Sequence, residues 1–453
     1  MSLDDKDEGQ PDVGNLSSPE DVITTDLIQK ILHGHDPDAK LVSYSAKLGT
    51  KTGDNFMSII YSADILFTNS SSSEEKLEVM IKTMPKNEFR VEELNKVAAF
   101  TKEVNMYAHV LPEMVRFQKE QKIEDVEIMA DWPACLASFS NGGIDDFVAM
   151  GNLRGKGYKM ADRIKGLDHP QILLVLSTLA KFHAISFAQF GGDGAKIMST
   201  YPFLEEKMFP DPAELEHSLK DYFKSLLRCE VKVLRDSGHE KEAEILALFC
   251  RDDIDVTLLS EISTIVTSRK NAVINHGDCW TNNILFLHDG EKLVDLKLLD
   301  FQEARCAPRS AEVSYFLHAC VPSKELDVHK EEEYLKWYDD HFIQFLGKLG
   351  VNRSGNDGLD FKDFMEEYKN CKFYGVILGL LMAPMMCTES EDLQDLEDME
   401  GFGEDAATRM FEARTKASKD SQLISTNKIC NLAVNHLPHC PQVIRKMSEI
   451  KKV

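Results

Sequence analysis

Two carboxylates and an amide stand close together in a short part of the chain. Asp278 and Asn283 lie in Val273-Ile274-Asn275-His276-Gly277-Asp278-Cys279-Trp280-Thr281-Asn282-Asn283-Ile284-Leu285-Phe286. Asp300 closes Val294-Asp295-Leu296-Lys297-Leu298-Leu299-Asp300, before Phe301-Gln302. Ile284 to Leu287 reads as a short apolar strand, and His288-Asp289-Gly290 as a turn with the favoured Asp-Gly pair. Val294, Leu296 and Leu298 alternate with Asp295 and Lys297, as a half-buried strand does. Folding that hairpin returns Asp300 to the level of Asn283, so three oxygen-bearing side chains meet at one end. Carboxylate and amide oxygens are hard ligands that suit Mg²⁺, which also bridges phosphates.

The spacing H-x-D-x-x-x-x-N followed by D-F is that of phosphoryl transfer from ATP. There the first Asp accepts the proton of the substrate hydroxyl, while the Asn and second Asp hold Mg²⁺ against the phosphates. Such chemistry needs a second half upstream. Lys82 ends the strand-like Val79-Met80-Ile81-Lys82, where a phosphate-gripping lysine belongs. Glu103 follows Phe100 and precedes Tyr107 on one apolar helical stripe. A carboxylate on such a face needs a cation, and Lys82 is the natural one. Read alone, Lys82 is a solvated lysine and Glu103 the edge of a stripe; the constellation gives them a role. Gly49-Thr50-Lys51-Thr52-Gly53-Asp54-Asn55-Phe56 suits a phosphate-covering loop, with Gly49, Gly53 and Asn55 its candidate contacts. An ordinary hairpin would read the same. Met150, Gly151, Asn152 and Leu153 lie where strand gives way to helix, as a hinge facing adenine would.

The elements that must position these residues follow an α+β order. An acidic, turn-rich stretch over residues 1–20 is expected to be disordered, and a helix is expected from Pro19 to Leu32. Strands are expected over Val42–Leu48, Asn55–Phe67 and Leu77–Thr83, then a helix from Glu88 to Val110 closed by Pro112. Further strands are expected at Val126–Met129, Ala134–Phe139 and Phe147–Met150. Helices dominate after Gly151, interrupted by the Ala272–Asp300 island and by an acidic loop from Glu389 to Glu404. Two lobes result, 21–150 and 151–453.

The chain of 453 residues carries a formal charge of −24 and a pI near 5.0. That field repels nucleic-acid phosphates and anionic lipid, so neither partner is expected. The ten cysteines form no CxxC pair and read as reduced thiols of a cytoplasmic protein. No signal peptide opens the sequence, and the apolar run Tyr374–Cys387 is too short to span a bilayer. No obligate protein partner is evident.

A protein substrate fits poorly. Trp280 replaces the lysine that Ser/Thr kinases carry two residues after the catalytic Asp, and Gln302 replaces the Gly of D-F-G. The segment from Asp300 to Ser310 is too short for a peptide-binding activation loop.

His276-Gly277-Asp278-x-Trp280-x-Asn282-Asn283 with Asp300-Phe301-Gln302 resembles the ecdysteroid kinase-like family of insects, within the wider choline kinase-like and aminoglycoside phosphotransferase-like group. The likeness takes in Gly53-Asp54-Asn55-Phe56, Ile81-Lys82-Thr83-Met84-Pro85, Phe100 through Glu103 to Tyr107, Gly157 to Arg163, Leu179 to Ala184 and Tyr315-Phe316-Leu317. It implies a bilobal protein-kinase-like fold and transfer of the ATP γ-phosphate to a hydroxyl of a steroid or other small alcohol. It further implies Asp278 as base, Asn283 and Asp300 as Mg²⁺ ligands, and Lys82 with Glu103 orienting ATP. Two positions depart from the family: Gly151-Asn152-Leu153 replaces its usual Glu-Asp-Leu or Glu-Asn-Leu hinge, and Glu312 stands near its usual Asp. His183 reads as a core histidine. A ligand-binding pseudokinase and a kinase of choline or another amino-alcohol are the competing readings, the latter with Glu389–Glu404 as an acidic wall.

Overall fold

The computed structural model describes residues 19–49, 58–85, 88–214, 217–251, 258–351, 359–388 and 404–450. Most of the 1–20 stretch, Gly53 and Asn55 of the glycine loop, and residues 389–403 of the acidic loop lie outside them. The first lobe runs α1 (Pro19–Val22), α2 (Thr25–His35), β1 (Lys40–Leu48), β2 (Ile59–Thr68), β3 (Glu74–Thr83), α3 (Glu88–Lys96), α4 (Ala99–Asn105), a π-helical turn (Met106–Val110), α5 (Leu111–Glu120), β4 (Cys135–Phe139) and β5 (Phe147–Gly151). The second runs β6 (Lys159–Met160), α6 (His169–Phe190), α7 (Gly194–Thr200), α8 (His217–Asp236), α9 (Glu240–Ala247), α10 (Ser260–Val266), β7 (Ala272–Asn275), β8 (Ile284–Asp289), β9 (Lys292–Leu298), β10 (Arg305–Pro308) and α11 (Arg309–Cys320). It continues through α12 (Val328–Lys348), α13 (Phe361–Met386), α14 (Glu404–Lys416), α15 (Lys419–Asn431), a π-helical turn (Leu432–His436) and α16 (Pro441–Ile450).

The first lobe is a five-stranded antiparallel sheet of order β1-β2-β3-β5-β4. Tyr61, Ala63, Ile65 and Phe67 alternate along β2 and, with Val79 and Ile81 of β3, pack against Ile28, Ile31 and Leu32 of α2. Period-2 alternation thus turns Ile81 to this core and Lys82 to the other face. α2 approaches the sheet closely at Gly34, where a Cβ would lie 1.7 Å from the Leu136 carbonyl oxygen. In the second lobe α6, α11 and α13 form the centre of one large core, and every residue of α11 is buried. Among the described residues α6 alone is long and apolar enough to cross a membrane, and twelve of its 22 residues are buried in the core.

The expected helix at the start is two. Ile23 and Thr24 interrupt it, and the Thr24 hydroxyl caps α2 by accepting from Leu27 N. Pro112 does not end the helix before it. It falls in the first turn of α5, after the π-helical turn shifts the hydrogen-bond ladder from α4, where a missing N–H costs little. The expected strand at Val126–Met129 is a 3₁₀ turn over Asp125–Glu127. The Gln118 side chain bonds both Met129 N and Met129 O there, at 2.7 and 3.0 Å, satisfying backbone that a strand would have paired.

Candidate active site

The loop between β7 and β8 carries Asp278. Its path depends on Gly277, whose φ of 88° is left-handed and where a Cβ would sit 1.8 Å from the Glu303 carbonyl oxygen. Glu312 of α11 holds the loop from beneath. Its Oε2 accepts from His276 N at 2.9 Å and its Oε1 from Gly277 N at 2.6 Å. Oε2 also accepts from His183 Nε2 at 2.7 Å, and the Tyr338 hydroxyl lies 2.7 Å from His183 Nδ1. Burial alone would raise the Glu312 carboxyl, but His183 and the loop N–H groups outweigh it and hold it below the usual range. His183 is therefore a core histidine, as the sequence suggested, and it steadies the residue under the loop that carries Asp278. His276 Nε2 donates to Leu299 O at 2.8 Å and its ring lies against Phe301, centroids 4.6 Å apart, tying the loop to the returning strand.

The hairpin folds as its alternation requires. Ile284 pairs with Leu298, and Leu299 N donates to Asn283 O at 2.8 Å. Asn283 Nδ2 donates to Asp278 Oδ2 at 2.9 Å, which leaves the amide oxygen as the atom able to ligate a cation. The Tyr315 hydroxyl donates to Asp278 Oδ1, also at 2.9 Å. Burial and then the nearby Asp300 charge raise the Asp278 carboxyl, against the Tyr315 hydrogen bond.

Asp300 adopts φ 64° and ψ 75°, left-handed values that Asp tolerates better than most residues. Its carboxylate reaches across the cleft to the other lobe. Lys82 Nζ donates to Asp300 Oδ1 at 2.8 Å, Glu103 Oε2 at 2.7 Å and Gln302 Oε1 at 3.2 Å. Burial works against the Lys82 ammonium, but Asp300 and Glu103 more than compensate and keep it charged. Glu103 is the weaker ion of the pair: burial raises its carboxyl, and its one cation is shared with Asp300. Glu103 Oε1 has no hydrogen-bond partner among the described residues.

The hinge residues sit on this machinery. Met150 faces Met80 and Cys135 across the sheet, and Gly151 pairs with Val79. Asn152 N donates to Glu78 O at 2.9 Å, and Leu153 packs with Tyr158 and with Leu285 of the catalytic hairpin. Gly49 follows the last residue of β1, and its N–H donates to Ile60 O at 2.7 Å. Its carbonyl accepts from Arg154 Nη1 at 2.6 Å, joining hinge to sheet. Arg154, Gln302 and Tyr315 were not assigned roles from sequence.

Fold and site together define a small-molecule phosphotransferase of protein-kinase-like architecture. The chain belongs to the ecdysteroid kinase-like family, whose model matches residues 52–351. Among solved structures it is similar to the aminoglycoside phosphotransferase APH(3'')-Id from Streptomyces rimosus. The form in complex with ADP and streptomycin is 11% identical, with 68% of this chain and 90% of that one covered and a TM-score of 0.23. A second structure of the same protein is 11% identical, with 77% and 99% covered and a TM-score of 0.22. No curated protein sequence matches.

Proposed function

We propose that this small-molecule kinase uses ATP and Mg²⁺ to phosphorylate an alcohol hydroxyl, with Asp278 as the base. The observation that carries the reading is the junction at Lys82: one ammonium bonded to Glu103 of its own lobe and to Asp300 of the other, beside a carboxylate held in place by Tyr315 and Asn283. The donor set fits the metal, since the Asn283 amide oxygen and the Asp300 carboxylate are hard oxygens at one end of a rigid hairpin. Held by Asn283 and Asp300, Mg²⁺ would supply positive charge that offsets the negative charge of the phosphates.

The protein's own residues do the rest. Lys82, kept charged, would offer its ammonium to the phosphates, while Asn283 and Asp300 would hold the metal. Glu103 then keeps Lys82 aimed. Gly49, with Gly53 and Asn55 beyond the described residues, would close over the phosphates, and Met150, Gly151 and Leu153 would flank adenine. Asp278 orients the acceptor hydroxyl in line and takes its proton as the bond to phosphorus forms. Its raised pKa makes it a better acceptor than an exposed Asp.

The acceptor is proposed to be an ecdysteroid, or another steroid-like or xenobiotic alcohol, in keeping with the family. Asp278→Asn should lower kcat by about 10²–10⁴-fold while Mg-ATP binding changes little, since proton transfer is lost and phosphate contacts are kept. Unchanged turnover would sink the assignment. A panel of sterols, choline and phenolic alcohols with labelled ATP discriminates the acceptor, and failure of Mg-ATP to raise Tm would indicate a pseudokinase.

A further inference from the structure

Near the C-terminal end of α11, one turn beyond Tyr315, three buried side chains from separate elements converge: His318 of α11, Glu331 of α12 and His436 of the π-helical turn before α16. Their ligand atoms all lie within 4.8 Å of one another. His318 Nδ1 donates to Ser314 O at 2.8 Å, so Nε2 carries a bare lone pair, and it points at Glu331 Oε1 from 3.5 Å. His436 places Nε2 3.4 Å from Leu326 O and turns Nδ1 toward Glu331 Oε2, again at 3.5 Å. Neither His318 Nε2 nor His436 Nδ1 has a hydrogen-bond partner among the described residues, and both rings are fully buried.

Two imidazole lone pairs facing one carboxylate repel one another unless something electropositive lies between them. We propose that this is a divalent transition-metal site, filled by zinc, that fastens the C-terminal segment to the helix beneath the active site. His318 Nε2 lies 3.5 Å from Oε1 and His436 Nδ1 3.5 Å from Oε2, so an ion between the rings would take one nitrogen from each and the Glu331 carboxylate facing both, the nitrogen–oxygen ligand set of zinc. Imidazole nitrogen favours zinc over the magnesium used at the phosphates. The carboxylate is already oriented from behind, as outer partners orient a metal ligand: the Tyr368 hydroxyl donates to Oε1 and Lys372 Nζ to Oε2, each at 2.6 Å. Lys372 also competes, because its ammonium neutralises Glu331. Zinc binding is therefore expected to be moderate in the native chain and tighter once that charge is removed.

The test uses the full chain, stripped with chelator and dialysed into saturating Mg²⁺ so that Asn283 and Asp300 are occupied. Zinc is expected to bind at one equivalent and to raise Tm. Cobalt should give the visible bands of a four-coordinate nitrogen–oxygen site, without the thiolate charge transfer that the free cysteines would produce. His318→Gln and His436→Gln should abolish both signals, Asp300→Asn should leave them intact, and Lys372→Met should tighten zinc at least tenfold. Should the histidine variants fail to fold, the native titration and Lys372→Met decide alone. No stoichiometric zinc and no cobalt band in the native chain would overturn the proposal and leave the three side chains enclosing water only. Zinc binding no tighter in Lys372→Met would overturn it too.

Discussion

Asp278 is poised by two opposed influences, and its neighbour Tyr315 gives access to them. Burial and the Asp300 charge raise its carboxyl, while the Tyr315 O–H stabilises the ionised form and lowers it. Removing that donor with Tyr315→Phe should therefore raise the Asp278 pKa further. A hydrogen bond to a charged group is worth about 1.5–3 kcal/mol, so the acidic limb of kcat/KM should move up by about 1–2 pH units. The rate should fall most on the acidic side and least well above neutrality. A purely structural role for the hydroxyl would instead lower the rate alike at every pH, so the profile separates the two. Asp278, Asn283 and Asp300 were legible from sequence because they stand at fixed offsets on a hairpin whose alternation sets its own register. Lys82 and Glu103 were legible because a charge on an apolar face demands a partner. Tyr315 was not. Its partner Asp278 is far away in sequence, and nothing local to a tyrosine in a helix records that distant contact.

At the scale of elements, α11 carries the load. All of its residues are buried, so it shows no apolar stripe that would mark which face meets the loop. That is why Glu312 showed in sequence only as a departure near a family position. In the structure its two oxygens take three N–H groups, from His183, His276 and Gly277. Glu312→Ala would leave those buried donors unsatisfied at about 1–3 kcal/mol each, partly relieved by water. A loss of roughly 3 kcal/mol in urea unfolding is expected, together with a fall in kcat larger than the change in KM for ATP, since the loop that slackens is the one holding Asp278. A fall confined to KM would place Glu312 outside the catalytic loop's support. The same element-level logic explains the misread segments. Val126–Met129 has strand-forming residues, but Gln118 satisfies its backbone. Arg305–Pro308 pairs with Ala272–Asn275 as a strand too short to show alternation.

Over the whole molecule, the order of strands then helices was enough to give the α+β, bilobal arrangement, but the large core draws on both halves of the chain, taking in Met106, Tyr107, Val110 and Met114 beside α6, α11 and α13. The charge balance inside the cores was not legible, since it depends on which carboxylates end up without partners. Glu230 of α8 is fully buried, and neither of its oxygens has a hydrogen-bond partner among the described residues. Burial raises it to about 8 even though Arg414 opposes the shift. Arg414 donates instead to Ser425 and Thr426. Glu303 is likewise raised by burial to about 7, against Lys102 and Arg305. Carboxyls raised in the folded state make it bind more protons than the unfolded chain. The stability they confer is present in full below about pH 4.3, the unfolded value, and is lost as pH rises through 7 and 8. Glu206 and Glu312 act in the opposite sense. Burial would raise both, but Arg305 and Lys102 around the first, and His183 and the loop around the second, hold them low. Their stabilisation is present above the unfolded value and lost as acid protonates them. Maximum stability should thus fall between these limits, on the acidic side of neutrality. Glu230→Gln removes the largest alkaline contribution without removing volume. It should leave stability near pH 4 almost unchanged and raise it progressively from there, by a few kcal/mol at pH 8 and above, flattening the decline in urea midpoint with pH. An equally steep alkaline decline in that variant would mean that Glu230 is ionised and paired in the folded protein, and that the two lobes owe their pH response to other groups.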